Sequence, residues 1–210
     1  GTLLLGLLCW VLLDAIAAVV RARRRQRTLL QLLAHDDPKV PGALVVDHPA
    51  ATAYCVPGLR SAIVISAGTL DLLDQAELAA VLAHERAHLR ARHDLVLLPF
   101  GALLRAFRWS AVALEANRAV ALLVEMMADD RALRVRGLVA RELATALLRF
   151  GTSASEGAPA GAMAVAEGEL TVRVNRILVP QPPLPKAAQV AVVLASVALV
   201  AVPLLLLVTP

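Results

Sequence analysis

His84 and His88 stand four residues apart, and Glu85 directly follows the first of them. On a helix, positions i and i+4 share a face one turn apart, so both imidazoles leave the chain on the same side. Two nitrogens so placed can hold one tetrahedral zinc ion. Glu85 falls on the adjoining flank, where a carboxylate can reach a metal-bound water without becoming a ligand. A zinc site that does chemistry needs a third protein ligand and a fourth position left for water. Downstream, Glu125 and Asp129 repeat the i, i+4 spacing. Glu125 can bind the metal. Asp129, one turn on, can accept a hydrogen bond from the non-coordinating nitrogen of a histidine ligand and raise its basicity.

Both pairs lie in sequence that reads as helix. Residues 78–83, Leu-Ala-Ala-Val-Leu-Ala, lead into the histidines. Asp74 with Glu77 three residues on has the form of a capping box, which starts that helix about ten residues before the motif. The acidic pair lies in a helical stretch over residues 117–135. Five apolar residues, 120–124, precede Glu125. A carboxylate after such a run is read as facing inward.

The order of these segments resembles a known family. The stretches 53–58, 63–68, 78–85 and 125–129 together look like a gluzincin metallopeptidase of the integral-membrane M56 (antibiotic-sensor) family, and the related M48 peptidases share the same order of elements. The similarity covers roughly residues 40–180. It implies one zinc ion bound by His84, His88 and Glu125, with Glu85 as general base and Asp129 as the acidic residue behind a ligand. Arg173 and Arg176 fall in a segment that resembles the family's late basic stretch. They are the candidates to stabilise an oxyanion, although arginines near a helix end more often pair with surface acids. Arg86 departs from the aliphatic residue that many members carry. The implied activity is hydrolysis of a protein or peptide substrate, a repressor being one candidate. A zinc-bearing but catalytically silent sensor or scaffold, a housekeeping membrane protease of M48 type, and a metal-free helical adaptor are the alternatives. The intact Glu85 and the complete ligand set favour the peptidase.

Composition suggests the setting. Apolar residues make up 59% of the 210 residues, and mean hydropathy is +0.69. Residues 1–20 and 187–208 are apolar runs long enough to cross a bilayer of about 30 Å. Residues 21–27 hold Arg21, Arg23, Arg24, Arg25 and Arg27, a basic cluster of the kind that marks the cytoplasmic side of a span. The expectation is therefore an α+β membrane protein, mainly helical with a small antiparallel sheet. A catalytic domain over residues 28–186 faces the cytoplasm of a bacterial plasma membrane between two transmembrane helices. Nucleic acid is not expected as a partner: aromatics are 3% of the chain and none lies in the arginine cluster. The lipid bilayer is. The chain opens on Gly1 with no initiator methionine, the form a fragment would take. The first run lacks the charged start of a signal peptide.

Between the runs, residues 43–46, 52–56 and 61–65 read as strands. Residues 35–42 read as a loop, 95–104 as an interfacial or buried helix, 138–150 as a helix, and 151–161 as a loop. Residues 181–185 form a proline-rich connector. An edge strand beside the motif helix could hold an extended peptide. Cys9 and Cys55 do not suggest a disulfide. His35, His48 and His93 read as surface or capping residues; His93 is out of phase with His84 and His88 on a straight helix.

Overall fold

The strand Ala62–Ser66 reads Ala-Ile-Val-Ile-Ser with no polar alternation, the pattern of a strand covered on both faces. In the computed structural model, which describes residues 2–57, 61–155, 160–179, 182 and 184–208, it lies inside a four-stranded sheet. The elements run α1 (Thr2–Leu33), β1 (Ala34–Asp36), β2 (Leu44–Val46), β3 (Ala53–Val56), β4 (Ala62–Ser66), α2 (Ala67–Leu72), α3 (Gln75–Ala91), α4 (His93–Ala106), α5 (Ala111–Ala132), α6 (Ala140–Ser155), α7 (Ala160–Leu178) and α8 (Lys186–Val208). Strand order is β1-β2-β4-β3. Ile63 and Ile65 pack with Val45, Leu78, Val81 and Leu82 on the α3 side. Val64 points the other way, onto Leu30 of α1 and Val56. Successive side chains of a strand alternate faces, so β4 binds the two layers together.

The sheet corrects the expectation of an antiparallel one. β1–β2 and β3–β4 are antiparallel, but β2 and β4 run parallel, with Val45 opposite Ile65. The β3–β4 hairpin folds back so that the more apolar strand is inserted beside β2, and β3 is left at the edge. β1 was expected to be loop. Its Ala-His-Asp has little strand propensity, and pairing with β2 alone makes it a strand.

The flanking transmembrane helices are also not supported. Among the described residues no helix is long and apolar enough to cross a membrane. Apolar length was the basis of that expectation. In α1 the run carries Asp14 and passes without a break into the basic segment. Its last turns then serve the domain, with Leu30 buried beneath the sheet.

The motif helix is fixed at its start. Asp74 Oδ1 accepts from the amides of Ala76 and Glu77, each at 2.9 Å, and Glu77 Oε2 accepts from the Asp74 amide at 3.0 Å. This is the reciprocal capping box that the sequence predicts. Glu77 is buried and also pairs with Arg149 of α6 at 3.1 Å. Arg149 donates in turn to the Leu72 carbonyl at 2.7 Å. Farther along, Ala80 and Ala83 of α3 meet Ala132 of α5, Leu143 and Ala144 of α6 and Ile177 of α7. Small side chains at the crossings let these helices approach closely.

The helices run longer than their sequence signals. α5 begins at Ala111, capped by Ser110, rather than at 117. The loop expected over 151–161 is reduced: α6 continues to Ser155 and α7 starts at Ala160, while residues 156–159 lie outside the described residues. Of the proline-rich connector, residues 181 and 183 lie outside them too.

A second fixed point joins the hairpin to α2. Ser66 Oγ accepts from the amides of Thr52 (2.9 Å) and Thr69 (3.2 Å), and the Thr69 hydroxyl donates to the Thr52 carbonyl at 2.8 Å. Next to it, the Gly68 amide donates to the His48 carbonyl, and a Cβ at Gly68 would overlap the Pro49 carbonyl. Gly68→Ala is therefore expected to destabilise the fold by about 1–3 kcal/mol, the usual cost of forcing atoms into a packed site. The urea midpoint measures it, and an unchanged midpoint would refute the close approach.

Candidate metal centre

Three helices supply the polar cluster. His84, Glu85 and His88 come from α3, Glu125 and Asp129 from α5, and Arg173 from α7. His84 Nε2 and His88 Nε2 are 3.0 Å apart. Glu125 reaches both, with Oε2 3.3 Å from His84 Nε2 and Oε1 3.4 Å from His88 Nε2. All three ligand atoms fall within 4.8 Å of one another. A tetrahedron with metal–ligand distances of about 2.0–2.1 Å has edges of roughly 3.3 Å. The observed separations are close to that value. Two imidazole lone pairs facing each other at 3.0 Å repel unless a cation or a proton lies between them. The donor set therefore fits a divalent metal on both distance and charge.

Behind the cluster sits a buried clamp. His84 Nδ1 lies 2.9 Å from Asp129 Oδ1. Arg173 donates from Nε to Asp129 Oδ2 and from Nη2 to Asp129 Oδ1, both at 2.9 Å, and its Nη1 lies 3.1 Å from Glu125 Oε2. Such a two-pronged arginine fixes a carboxylate in plane and position. Arg176 is placed differently: it pairs with Asp130 at 2.8 Å, and both side chains are partly exposed. Arg86 lines a separate groove together with Arg90 and Arg136.

Titration follows from these contacts. In the metal-free protein, burial acts to lower the pKa of His84, but its hydrogen bonds to Asp129 and Glu125 outweigh that and raise it to about 9. Burial would raise Glu125 and Asp129. For Glu125 the two imidazoles reverse the effect, and for Asp129 His84 and Arg173 do, so both carboxyls are held below their ordinary range. Glu85 goes the other way: burial raises it against the opposing pull of His84 and His88. Cys55 of β3 is pushed up to about 12, first by burial and then by the charge of Glu85.

Glu85, His84, Glu125 and Arg173 open onto one cleft of about 420 Å³. Edge strand β3 and the residues just before it form one wall, from Ala51 to Tyr54. Val81, Leu143, Leu147 and Phe150 make it apolar.

Of the other histidines, His35 and His48 are exposed. His93 is not: it is 2% exposed, and its Nδ1 lies 3.0 Å from Nδ1 of His88. The expectation of a surface histidine fails because the helix is not straight. α3 ends at Arg92 in the left-handed conformation, φ 52° and ψ 44°. That turn brings His93 back over the motif. Left-handed residues are ordinarily glycine or asparagine, so an arginine gives no sequence signal of the bend.

No curated protein and no solved structure matches the chain. Of the two families whose motif order it resembles, the resemblance to M56 is not confirmed, whereas the family model of peptidase family M48 matches residues 20–179. That match takes in every residue of the cluster and about three quarters of the sequence, and on it the chain belongs to peptidase family M48, a family of metal-dependent peptidases.

Proposed function

We propose that the protein is a zinc endopeptidase that hydrolyses peptide bonds in an extended segment of a protein substrate. One observation carries this reading: two imidazoles of α3 and a carboxylate of α5 converge on a single point, with a buried glutamate next to them in the same cleft. When bound, zinc supplies a Lewis acid that acidifies a water molecule and polarises a carbonyl. The chain's own groups do the rest. Asp129 holds a proton on His84 Nδ1, which leaves the Nε2 lone pair directed at the centre. Arg173 fixes Asp129 and Glu125 together. Glu85 takes one proton from the attacking water and hands it to the leaving amine as the C–O bond forms and the C–N bond breaks. Its raised pKa brings it nearer neutrality, which suits a group that must both accept and release a proton.

The shape of the cleft supports a polymeric substrate. Among the described residues β3 pairs on one side only, and an unpaired strand edge can take an extended peptide as a further strand. The apolar wall suits a hydrophobic side chain near the cut.

Zinc titration of the metal-stripped protein tests this reading, with a quenched peptide library run in parallel. One zinc per chain, with cleavage that a chelator abolishes and zinc restores, is expected. Absence of stoichiometric binding would sink the assignment. The pH dependence has a definite sign. His84 in the metal-free protein keeps its proton up to about pH 9, and binding must expel it. Apparent zinc affinity should therefore rise about tenfold per pH unit from pH 7 and level off near 9. The stability that His84 gives the metal-free protein runs the opposite way. It is complete below the ordinary value of 6.5 and lost as pH rises through about 9.

A further inference from the structure

The two histidines of the cluster have unlike partners. His84 Nδ1 faces a carboxylate, Asp129. His88 Nδ1 faces another imidazole, Nδ1 of His93, at 3.0 Å. The rings of His88 and His93 stand nearly perpendicular, 89° apart with centroids at 4.8 Å. The geometry points to His93 as the positioning residue for His88: a neutral imidazole that accepts the His88 Nδ1 proton and so reserves Nε2 for the metal. The inference rests on the reading of His84, His88 and Glu125 as ligands.

The argument is one of proton placement. A neutral imidazole has one N–H and one lone pair. His88 Nε2 points at His84 Nε2 and Glu125, so its lone pair is needed there and the hydrogen must sit on Nδ1. At 3.0 Å, Nδ1–H needs an acceptor, and the atom present is His93 Nδ1. That atom can accept only if His93 carries its own hydrogen on Nε2. Ligating histidines almost always donate their second nitrogen to a carboxylate, a carbonyl or water. A histidine in that place does the same work without adding negative charge. Asp129 already supplies one carboxylate behind the ligands, balanced by Arg173.

The backbone at Arg92 is arranged around this contact. A left-handed backbone is strained for a residue other than glycine, and Arg92 adopts it. Its amide donates to the carbonyls of His88 and Leu89, and the chain turns so that His93 is the first residue of the next helix. An uninterrupted helix would carry His93 away from His88.

The test compares two substitutions. His93→Asn keeps an acceptor oxygen where Nδ1 stands, whereas His93→Leu removes the acceptor at similar volume. Zinc affinity is read by chelator competition on folded, metal-stripped protein. His93→Leu is expected to weaken zinc binding about 10–100-fold, as loss of a partner behind a ligand does, and His93→Asn to stay within a few-fold of the parent protein. Equal affinity in all three, or equal loss in both variants, overturns the proposal; the latter would mean that His93 only fills space. A parent protein that binds no zinc removes the metal reading and this one together, a result distinct from either of those. Should the leucine variant fail to fold, ring-nitrogen NMR of the zinc-loaded parent decides. Nδ1 of His93 is expected as an unprotonated acceptor and Nδ1 of His88 as its donor. A proton on His93 Nδ1 would overturn the assignment.

Discussion

Glu85→Gln is expected to lower the rate of peptide hydrolysis by about 10²–10⁴-fold, the share that a positioned acid–base group contributes, with zinc stoichiometry unchanged. Glutamine has the shape of glutamate but can neither accept nor deliver the proton. Glu85 is not among the three ligand-bearing residues, so the metal should remain. Stability should hold as well, because Glu85 is buried and a neutral amide costs less to desolvate than a carboxylate. Activity and metal content of the same preparation check this. Turnover at the parental rate would show that Glu85 is not the proton carrier. Parent and variant equally inactive on every peptide would favour a silent metal-bearing scaffold.

Asp129→Ala should destabilise the fold by about 3–5 kcal/mol, the cost of stripping one partner from a buried ion pair. Asp129 is 1% exposed. It takes two hydrogen bonds from Arg173 and faces His84. Without it the guanidinium is left mostly buried beside a single shared carboxylate, Glu125. Chemical unfolding of the metal-stripped protein measures the loss. Because the groups share one network, the effects will not add. Asp129→Ala with Arg173→Met should be less damaging than Asp129→Ala alone. A single-variant loss under 1 kcal/mol would mean that water reaches the clamp freely.

The chemistry of this chain was easier to read than its architecture. Helix periodicity puts His84 with His88 and Glu125 with Asp129 on common faces, and the Asp74–Glu77 box marks a helix start, because those rules act within a few residues. Pairing α3 with α5 came from chemical need rather than from any pattern. Arg173 stands out in the sequence only through its family segment; its grip on Asp129 spans 44 residues, and no local rule reaches so far. The parallel β2–β4 pairing depends on which strand a hairpin inserts, a tertiary choice. The membrane expectation treated apolar runs as spans by length alone. His93 reaches the cluster through one residue: the backbone angle of Arg92 is set by the contacts around it, and arginine gives no hint of it.

The clamp also has a bearing on synthesis. The polypeptide emerges from the ribosome N-terminus first, so His84 and His88 are in place well before Glu125, and Arg173 comes last of all. Until α7 is made, Asp129 and Glu125 repel each other without their guanidinium, and the imidazoles have no fixed third companion. On the zinc reading, a nascent chain would therefore hold the metal weakly. The site is thus completed only when most of the molecule exists.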